Sequence, residues 1–263
     1  MTTFPSTTEA SFKNKVVIIT GAADGIGLVT VKSFVQAGAR VVLADVDVAK
    51  GEAARASLNI DNTTLFIPTD VSDSNSVNSM VAQVQQTWGQ VNVLINNAAV
   101  ALPGSVTDID DTTWQRVLNV NLTGVWRGMR AVLPLMVAQG SGSIVNVSSM
   151  QGHLGFRGWS AYAAAKGGVE ALTRQAAVEY APHNIRVNAV APGTIMTPMN
   201  ERIFKEADDP DALIEMWNSL HALGRFGQPQ EVASAILFLA SEGASFITGE
   251  TLKVEGGMGV NGG

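Results

Sequence analysis

The sequence predicts one doubly wound α/β domain, a parallel sheet of seven strands with helices on both faces. Three observations carry this. Short β-branched runs alternate with longer amphipathic stretches along the chain. The first, second and fourth of those runs are apolar almost throughout, as strands covered on both faces must be. No internal repeat and no domain-length linker interrupts the alternation. Right-handed crossovers between parallel strands then wind the sheet in both directions.

In chain order, the first strand is KVVIIT at 15–20, followed by a helical pattern near 25–37. RVVLAD at 40–45 and TLFIPT at 64–69 are the second and third strands. Ser72 and Asp73 mark the start of a helix over 73–88. The fourth strand is VNVLIN at 91–96, and Asp110-Asp111 opens one long helical pattern over 111–139. SIVNVS at 143–148 precedes a helix over 159–181, and IRVNAVA at 185–191 is the sixth strand. The stretch 198–227 is less regular and reads as a mobile loop or short helices. Pro229 opens a helix over 229–241, and TLKVEG at 251–256 closes the sheet.

Composition narrows the function. The 263 residues are 46% hydrophobic and 15% charged, and a chain of this length buries about three quarters of its unfolded surface. The net charge is −6 with no basic run, which argues against a nucleic-acid partner. There is no cysteine, so no disulfide or thiolate metal site, which fits a reducing cytoplasm. The start MTTFPSTTEA has neither a basic nor an apolar signal region and reads as a flexible arm over 1–12. No apolar run reaches the roughly 18 residues of a membrane span. His183 and His221 have no partners at metal-ligand spacing and read as structural or surface residues; no metal is expected.

In such sheets ligands sit beyond the strand C-termini. After the first strand comes TGAADGIG at 20–27, with Gly21, Gly25 and Gly27 opening a helix. Glycine permits the tight turn and close backbone approach, and the helix N-terminus offers free N–H groups to a pyrophosphate. An ordinary glycine-rich strand–helix turn is the competing reading. No G-x-x-x-x-G-K-[ST] motif is present, which disfavours a P-loop nucleotidase. Asp45 ends the second strand, eighteen residues beyond Gly27, where a carboxylate can accept from ribose hydroxyls. Asp24 and Asp45 would both repel a 2′-phosphate, and Val46 supplies no cation, so the pair points to NAD; Asp24 can also be a helix N-terminal acid facing the dipole.

Tyr162 and Lys166 stand four apart in AYAAAKGG, on one face of a helix. A free tyrosine titrates near pH 10, and bringing it to neutrality takes about 4 kcal/mol. A unit charge ~4 Å away at an effective dielectric of ~20 supplies roughly that much. Lys166 could therefore make Tyr162 a usable acid/base. Alone, the spacing fits a Tyr–Lys surface pair more simply.

The order of motifs changes that balance. TGAADGIG (20–27), NNAA (96–99), NVNL (119–122), VSS (147–149), YAAAK (162–166), PGTIMT (192–197) and ITGETLKVEGG (247–257) follow one another as in the short-chain dehydrogenase/reductase family. The chain resembles that family from about Lys15 to Gly257, in its short single-domain branch. The resemblance implies a Rossmann fold that binds NAD, with 198–227 as a substrate lid. It implies Tyr162 as general acid/base, with Ser149, thirteen residues upstream, bonding the substrate oxygen. Lys166 would lower the tyrosine pKa and hold the nicotinamide ribose, and Asn121 would anchor a water leading from Lys166 to solvent. Asn119 and Ser148 would be structural neighbours. Ile26 lies in the glycine turn, Asp70 and Val71 would border the adenine, and Asn97, Ala98 and Ala99 would pass beneath the cofactor. Pro192, Gly193, Ile195 and Thr197 would cradle the carboxamide. The family usually has NNAG where this chain has Ala99, which alters the wall between cofactor and substrate.

The substrate end is expected to involve Val100 to Leu102, Gln151, His153, Trp159, Met199, Phe204 and Trp217, with a solvated loop as the other reading of His153. This mixture suits a cyclic or aromatic alcohol or ketone, a steroid or a sugar. The Y-x-x-x-K spacing favours carbonyl chemistry over that of enoyl reductases, which space the pair more widely. An epimerase or dehydratase would need a larger C-terminal region. A non-catalytic NAD-binding regulator or scaffold should have lost part of the Asn–Ser–Tyr–Lys set. The resemblance further implies a homotetramer built through 111–139, 159–181 and the C-terminal segment.

Overall fold

A computed structural model describes residues 12–58 and 62–261; the arm expected over 1–12 lies outside them except for Phe12. All seven strands are parallel, in the order β3-β2-β1-β4-β5-β6-β7. They are β1 (Val16–Thr20), β2 (Arg40–Asp45), β3 (Thr64–Pro68), β4 (Val93–Asn96), β5 (Gly142–Val147), β6 (Ile185–Pro192) and β7 (Thr251–Val254). Strand order reverses between β1 and β4, so a crevice opens beyond their C-terminal ends.

The continuous apolar runs resolve into two faces. Val16 and Ile18 of β1 join Leu94 and Ile144 in a core against α3 (Ser74–Trp88), α5 (Gly124–Gln139) and α6 (Ser160–Tyr180). Val17 and Ile19 join Val93, Val145 and Val190 in a core against α1 (Gly25–Gln36) and α9 (Pro229–Ala240). Successive strand residues alternate between the two layers, which is why hardly any position in these runs is polar. Phe12 closes the second core by packing edge-on to Phe34, with ring centroids 4.8 Å apart.

The helix starts lie where polar residues announce them. Asp73 caps α3 by accepting from the Asn75 N–H at 2.9 Å. Asp110 accepts from the Thr113 N–H at 2.7 Å and caps α4 (Asp111–Leu118). Gln228 and Glu231 form a capping box ahead of Pro229.

Two stretches differ from expectation, and a third, 198–227, takes the helical one of its two readings. α2 (Val48–Ser57), between β2 and β3, has no apolar stripe to announce it and buries only Gly51 and Ala54. Its closeness to the sheet needs Gly51, where a Cβ would lie 1.9 Å from the Phe66 ring. The pattern over 111–139 is not one helix: a π-helical turn at Asn119–Thr123 separates α4 from α5. The irregular 198–227 stretch contains α7 (Pro198–Lys205) and α8 (Pro210–Ser219), each with proline in its first turn and an N-cap, Thr197 or Asp209.

One polar chain runs through the first core. Asn96 of β4 donates to the Asn146 side-chain oxygen of β5 at 2.9 Å, and Asn146 donates to the Thr173 hydroxyl of α6 at 2.9 Å. It ties α6 to the sheet at the level of the crevice. Replacing a central member orphans the others, and an unpaired buried polar group costs about 1–3 kcal/mol. Asn146→Leu should therefore lower the unfolding free energy by about 2–3 kcal/mol, read as a lower urea midpoint at unchanged slope.

Candidate active site

The C-terminal ends of β1, β2, β4, β5 and β6 open into one cleft of about 850 Å³. At one end the chain leaves β1 through Gly21 and Gly25, both at positive φ (63° and 55°), conformations that glycine adopts without strain. A Cβ on Gly21 would lie 2.7 Å from the Ala98 Cα, so the turn needs glycine for contact as well. The Asn97 side chain donates to the Thr20 and Gly21 carbonyls (3.0 and 2.9 Å), locking the turn against the end of β4. Gly27 lies behind the turn rather than on the cleft; a Cβ there would sit 2.0 Å from the Gly21 carbonyl oxygen.

The N-terminus of α1 has no side-chain cap. Asp24 stands at the N-cap position, but its carboxylate turns to Lys50 of α2 at 3.1 Å, and Lys50 also approaches Asp47 at 3.9 Å. Asp45 accepts from the Ala23 and Asp47 N–H groups at 2.9 and 3.0 Å. Asp24, Asp45, Val46, Asp47 and Lys50 all line the cleft, as do Gly21, Gly25, Ile26, Asp70 and Val71. Lys50 is the cation that the sequence reading did not count. Its signal was the i, i+3 spacing from Asp47, hidden because the helix carrying it was not read.

These features fit a dinucleotide. The uncapped first turn of α1 offers donors to a pyrophosphate, and the glycines leave the backbone bare there. Asp45 adds an acceptor where an adenosine ribose would lie.

The other end is built on α6 and the segment after β5. Tyr162, Lys166, Ser149, Gln151, Trp159 and Met199 all line the cleft, with Ala98, Ala99, Pro192, Gly193, Ile195 and Thr197. The Ser149 hydroxyl stands beside Tyr162 and favours its ionised form, while accepting from the Gln151 N–H at 3.2 Å. Trp159 stands edge-on to the Tyr162 ring at 6.2 Å. Phe156, Trp217 and Met258 extend the apolar wall, on which the Gln151 side-chain oxygen is buried without a partner. Phe156 and Met258 were not read from the sequence, because the loops holding them carry no motif.

Some expected residues lie elsewhere. Asn121 is fully buried in the π-helical turn, its side chain bonded to both Val100 backbone groups at 2.8 Å. The extra residue of the turn seats that amide against the chain leaving β4. His153 does not line the cleft: its Nε2 sits 3.0 Å from the buried Glu170 carboxylate. Phe204 is packed between Trp217 and Phe226, behind the wall. The Ile195 carbonyl accepts from the Asn200 side chain at 2.8 Å.

His221, buried, joins the end of α8 to the loop after β6. Its Nδ1 lies 2.9 Å from the Trp217 carbonyl, which can only accept, so Nδ1 carries the hydrogen. Its Nε2 accepts from the Thr194 N–H at 3.1 Å.

The electrostatics correct the expectation for Tyr162 and Lys166. Burial pushes the tyrosine up to about 12, with the Ser149 hydroxyl pulling weakly the other way. Burial pushes the Lys166 ammonium down to about 8. The Lys166 Nζ donates to the Val147 carbonyl at 2.7 Å and lies 5.5 Å from the phenol ring centroid, and in the protein alone the effect of burial on Tyr162 prevails. In the protein alone, Tyr162 is a held acid.

The profile of a family described as Enoyl-(Acyl carrier protein) reductase matches residues 21–259. The 3-oxoacyl-[acyl-carrier-protein] reductase FabG of Thermotoga maritima is 41% identical over 251 residues, 94% of this chain and 98% of that protein. The cis-4-hydroxycyclohexanecarboxylate dehydrogenase of Sinomonas cyclohexanicum is 42% identical over 248 residues, 94% and 97% of the two chains. The crystal structure of levodione reductase superposes with a TM-score of 0.91 at 34% identity, covering 95% of this chain and 99% of that one.

The buried ammonium has a stability consequence. Between about pH 8 and 10.5 the unfolded chain holds the Lys166 proton and the folded chain does not, so stability rises with pH across that window. Tyr162 acts oppositely between about pH 10 and 12, where the folded chain keeps a proton that the unfolded chain has lost. Lys166→Met removes the desolvation cost and one hydrogen bond, for a net gain of about 1–2 kcal/mol near pH 7. The ligand-free variant should melt a few degrees higher and lose the rise above pH 8, as thermal unfolding across pH will read.

Proposed function

The chain belongs to the short-chain dehydrogenase/reductase family of oxidoreductases, and we propose that it interconverts a secondary alcohol and a ketone with NAD, using Tyr162 as the acid/base. One observation carries the reading. Tyr162, with Ser149 beside it, faces the same cleft as the uncapped N-terminus of α1 and Asp45. Proton transfer and dinucleotide binding thus share one space.

A nicotinamide dinucleotide, when bound, supplies or accepts the hydride and carries a positive ring in its oxidised form. In reduction, Tyr162 donates its proton to the forming alkoxide, and Ser149 steadies that oxygen by hydrogen bonding. The phenol is protonated at neutral pH even at its ordinary pKa, and burial raises it further, so the acid is ready without a neighbouring charge. In oxidation, Tyr162 takes the alcohol proton as a phenolate. The fold alone opposes that form, so oxidation should gain more from rising pH than reduction does. Lys166 holds the ribose and offers its charge one helical turn away. Asn121 shapes the route by which Lys166 exchanges protons with solvent.

The nucleotide preference rests on Asp45 and on how Lys50 is occupied. Asp24 and Asp47 already match its charge, so it is a poor partner for a 2′-phosphate. Asp70 and Val71 border the adenine, and residues 198–227 cover the substrate. The wall of Phe156, Trp159, Met199 and Trp217, with the Gln151 and Asn200 amides beside it, suits a ring-bearing, mostly apolar alcohol or ketone. A relative named for a hydroxycyclohexanecarboxylate supports a ring. The three-residue gap between Tyr162 and Lys166 supports carbonyl rather than enoyl chemistry.

The reading extends to a cytoplasmic homotetramer. Among the described residues no helix is long and apolar enough to cross a membrane. Trp126 on α5 and Phe246 beside the edge strand β7 are exposed, as interface residues of an isolated protomer would be. A monomer in light scattering would contradict the assembly.

The test is NADH absorbance with a panel of cyclic and aromatic ketones and alcohols, run with NAD⁺ and NADP⁺ in parallel. We expect a large preference for NAD(H); equal efficiency with NADPH would refute the reading of Asp45 and Asp24. Tyr162→Phe should lose nearly all turnover while still binding NADH, and substantial residual activity would sink the tyrosine assignment.

A further inference from the structure

We infer that Glu170 is a positioning residue that fixes Ser149 and Gln151 relative to the helix bearing Tyr162. The inference rests on the proposed reading of Tyr162 and Ser149 as the reacting pair.

Glu170 and Lys166 are the two Lys, Arg, Asp or Glu side chains that are buried among the described residues. Glu170 sits on α6 one turn beyond Lys166 and two beyond Tyr162. Its Oε1 accepts from the Ser148 hydroxyl at 2.8 Å and meets His153 Nε2 at 3.0 Å. Ser148 directly precedes Ser149. His153 closes the turn that follows, its N–H bonding to the Met150 carbonyl at 2.9 Å. One carboxylate oxygen therefore grips both ends of a short turn, and the cleft-lining residues Ser149, Met150 and Gln151 lie between them.

The turn is seated against the helix with no slack. A Cβ on Gly152 would lie 2.9 Å from the Glu170 carboxylate and 3.1 Å from the Gly167 nitrogen. Ser148 also approaches the Lys166 carbonyl at 3.1 Å, one turn earlier on the same helix. A carboxylate suits this place because it accepts from a hydroxyl and an imidazole at once, while an alanine leaves both unpaired. Burying an acid is costly. Here it is offset by fixing the distance between a proton carrier and its partner hydroxyl, where an error of about 1 Å can cost ~100-fold in rate.

The test compares Glu170→Gln, Glu170→Ala and His153→Ala with the full-length protein. The first readout needs neither substrate nor cofactor. The chain has two tyrosines, so in a Tyr180→Phe background the ring-carbon NMR resonance of labelled tyrosine reports Tyr162 alone. Glu170→Ala should move that resonance toward its position in Ser149→Ala, and Glu170→Gln, which keeps the shape and an acceptor, should leave it near wild type. The second readout is turnover. Glu170→Ala should lose roughly 10–100-fold in kcat with NADH affinity nearly unchanged, Glu170→Gln should recover most of it, and His153→Ala should add little to Glu170→Ala. An unmoved resonance in Glu170→Ala overturns the inference. So does a loss of NADH affinity in step with kcat, which would mean that α6 as a whole had shifted. If Glu170→Ala does not fold, His153→Ala carries the same expectations in weaker form, and a resonance and kcat at wild-type values in it overturn the inference. Failure of the underlying reading shows separately, as full activity in Tyr162→Phe.

Discussion

The ammonium of Lys166 is buried at the wall of the cleft against a strand carbonyl, and no carboxylate among the described residues pairs with it. Such a group is tolerated only where the surrounding structure holds it, and here three features do. α6 is pressed onto β5 and β6. Alanines at 161 and 165 bring it close to α4. The Asn96–Asn146–Thr173 chain anchors its middle. The same closeness half-buries Tyr162 at the wall of the cleft, so one packing arrangement shifts both titrating groups, in opposite directions.

The cleft itself follows from winding order. Strands 1 and 4 are neighbours in space but carry their helices to opposite faces, so the chains leaving them diverge. The glycine turn and the Asn97 side chain fill the bottom of that divergence, and the residues after β5 and β6 line its sides. Both ends of the site are therefore products of the sheet. Only the wall formed by α7 and α8 is built from elements that the sheet does not dictate.

Much of this was legible in the sequence, for physical reasons. Strands buried on both faces must be apolar, so β1, β2 and β4 stood out, and capping residues marked α3, α4 and α9. The Tyr162, Lys166 and Ser149 placement followed from helical spacing and motif order. What was not legible depends on partners distant in sequence. α2 has hardly any apolar face, and its position is set by a glycine meeting Phe66. The π-helical turn exists to satisfy the Val100 backbone, a contact across 21 residues. An acid four residues after a lysine reads as a solvent-facing pair, yet Glu170 turns inward because Ser148 and His153 await it. For the protein alone the rise at Tyr162 comes from desolvation, which helical spacing does not reveal.

His221 couples two parts of the cleft that the chain reaches separately. Trp217 belongs to α8 and Thr194 to the loop after β6, and the imidazole holds both through opposite nitrogens. A neutral ring in one tautomer is the only form that satisfies a carbonyl on one side and an N–H on the other. α8 and the loop after β6 are thereby geared together, like two leaves on a common pin. A swing of α8 that carries Trp217 out of the cleft must either drag Thr194 with it or break the pin, so the width of the cleft at α8 and the placing of the loop after β6 form a single mechanical degree of freedom.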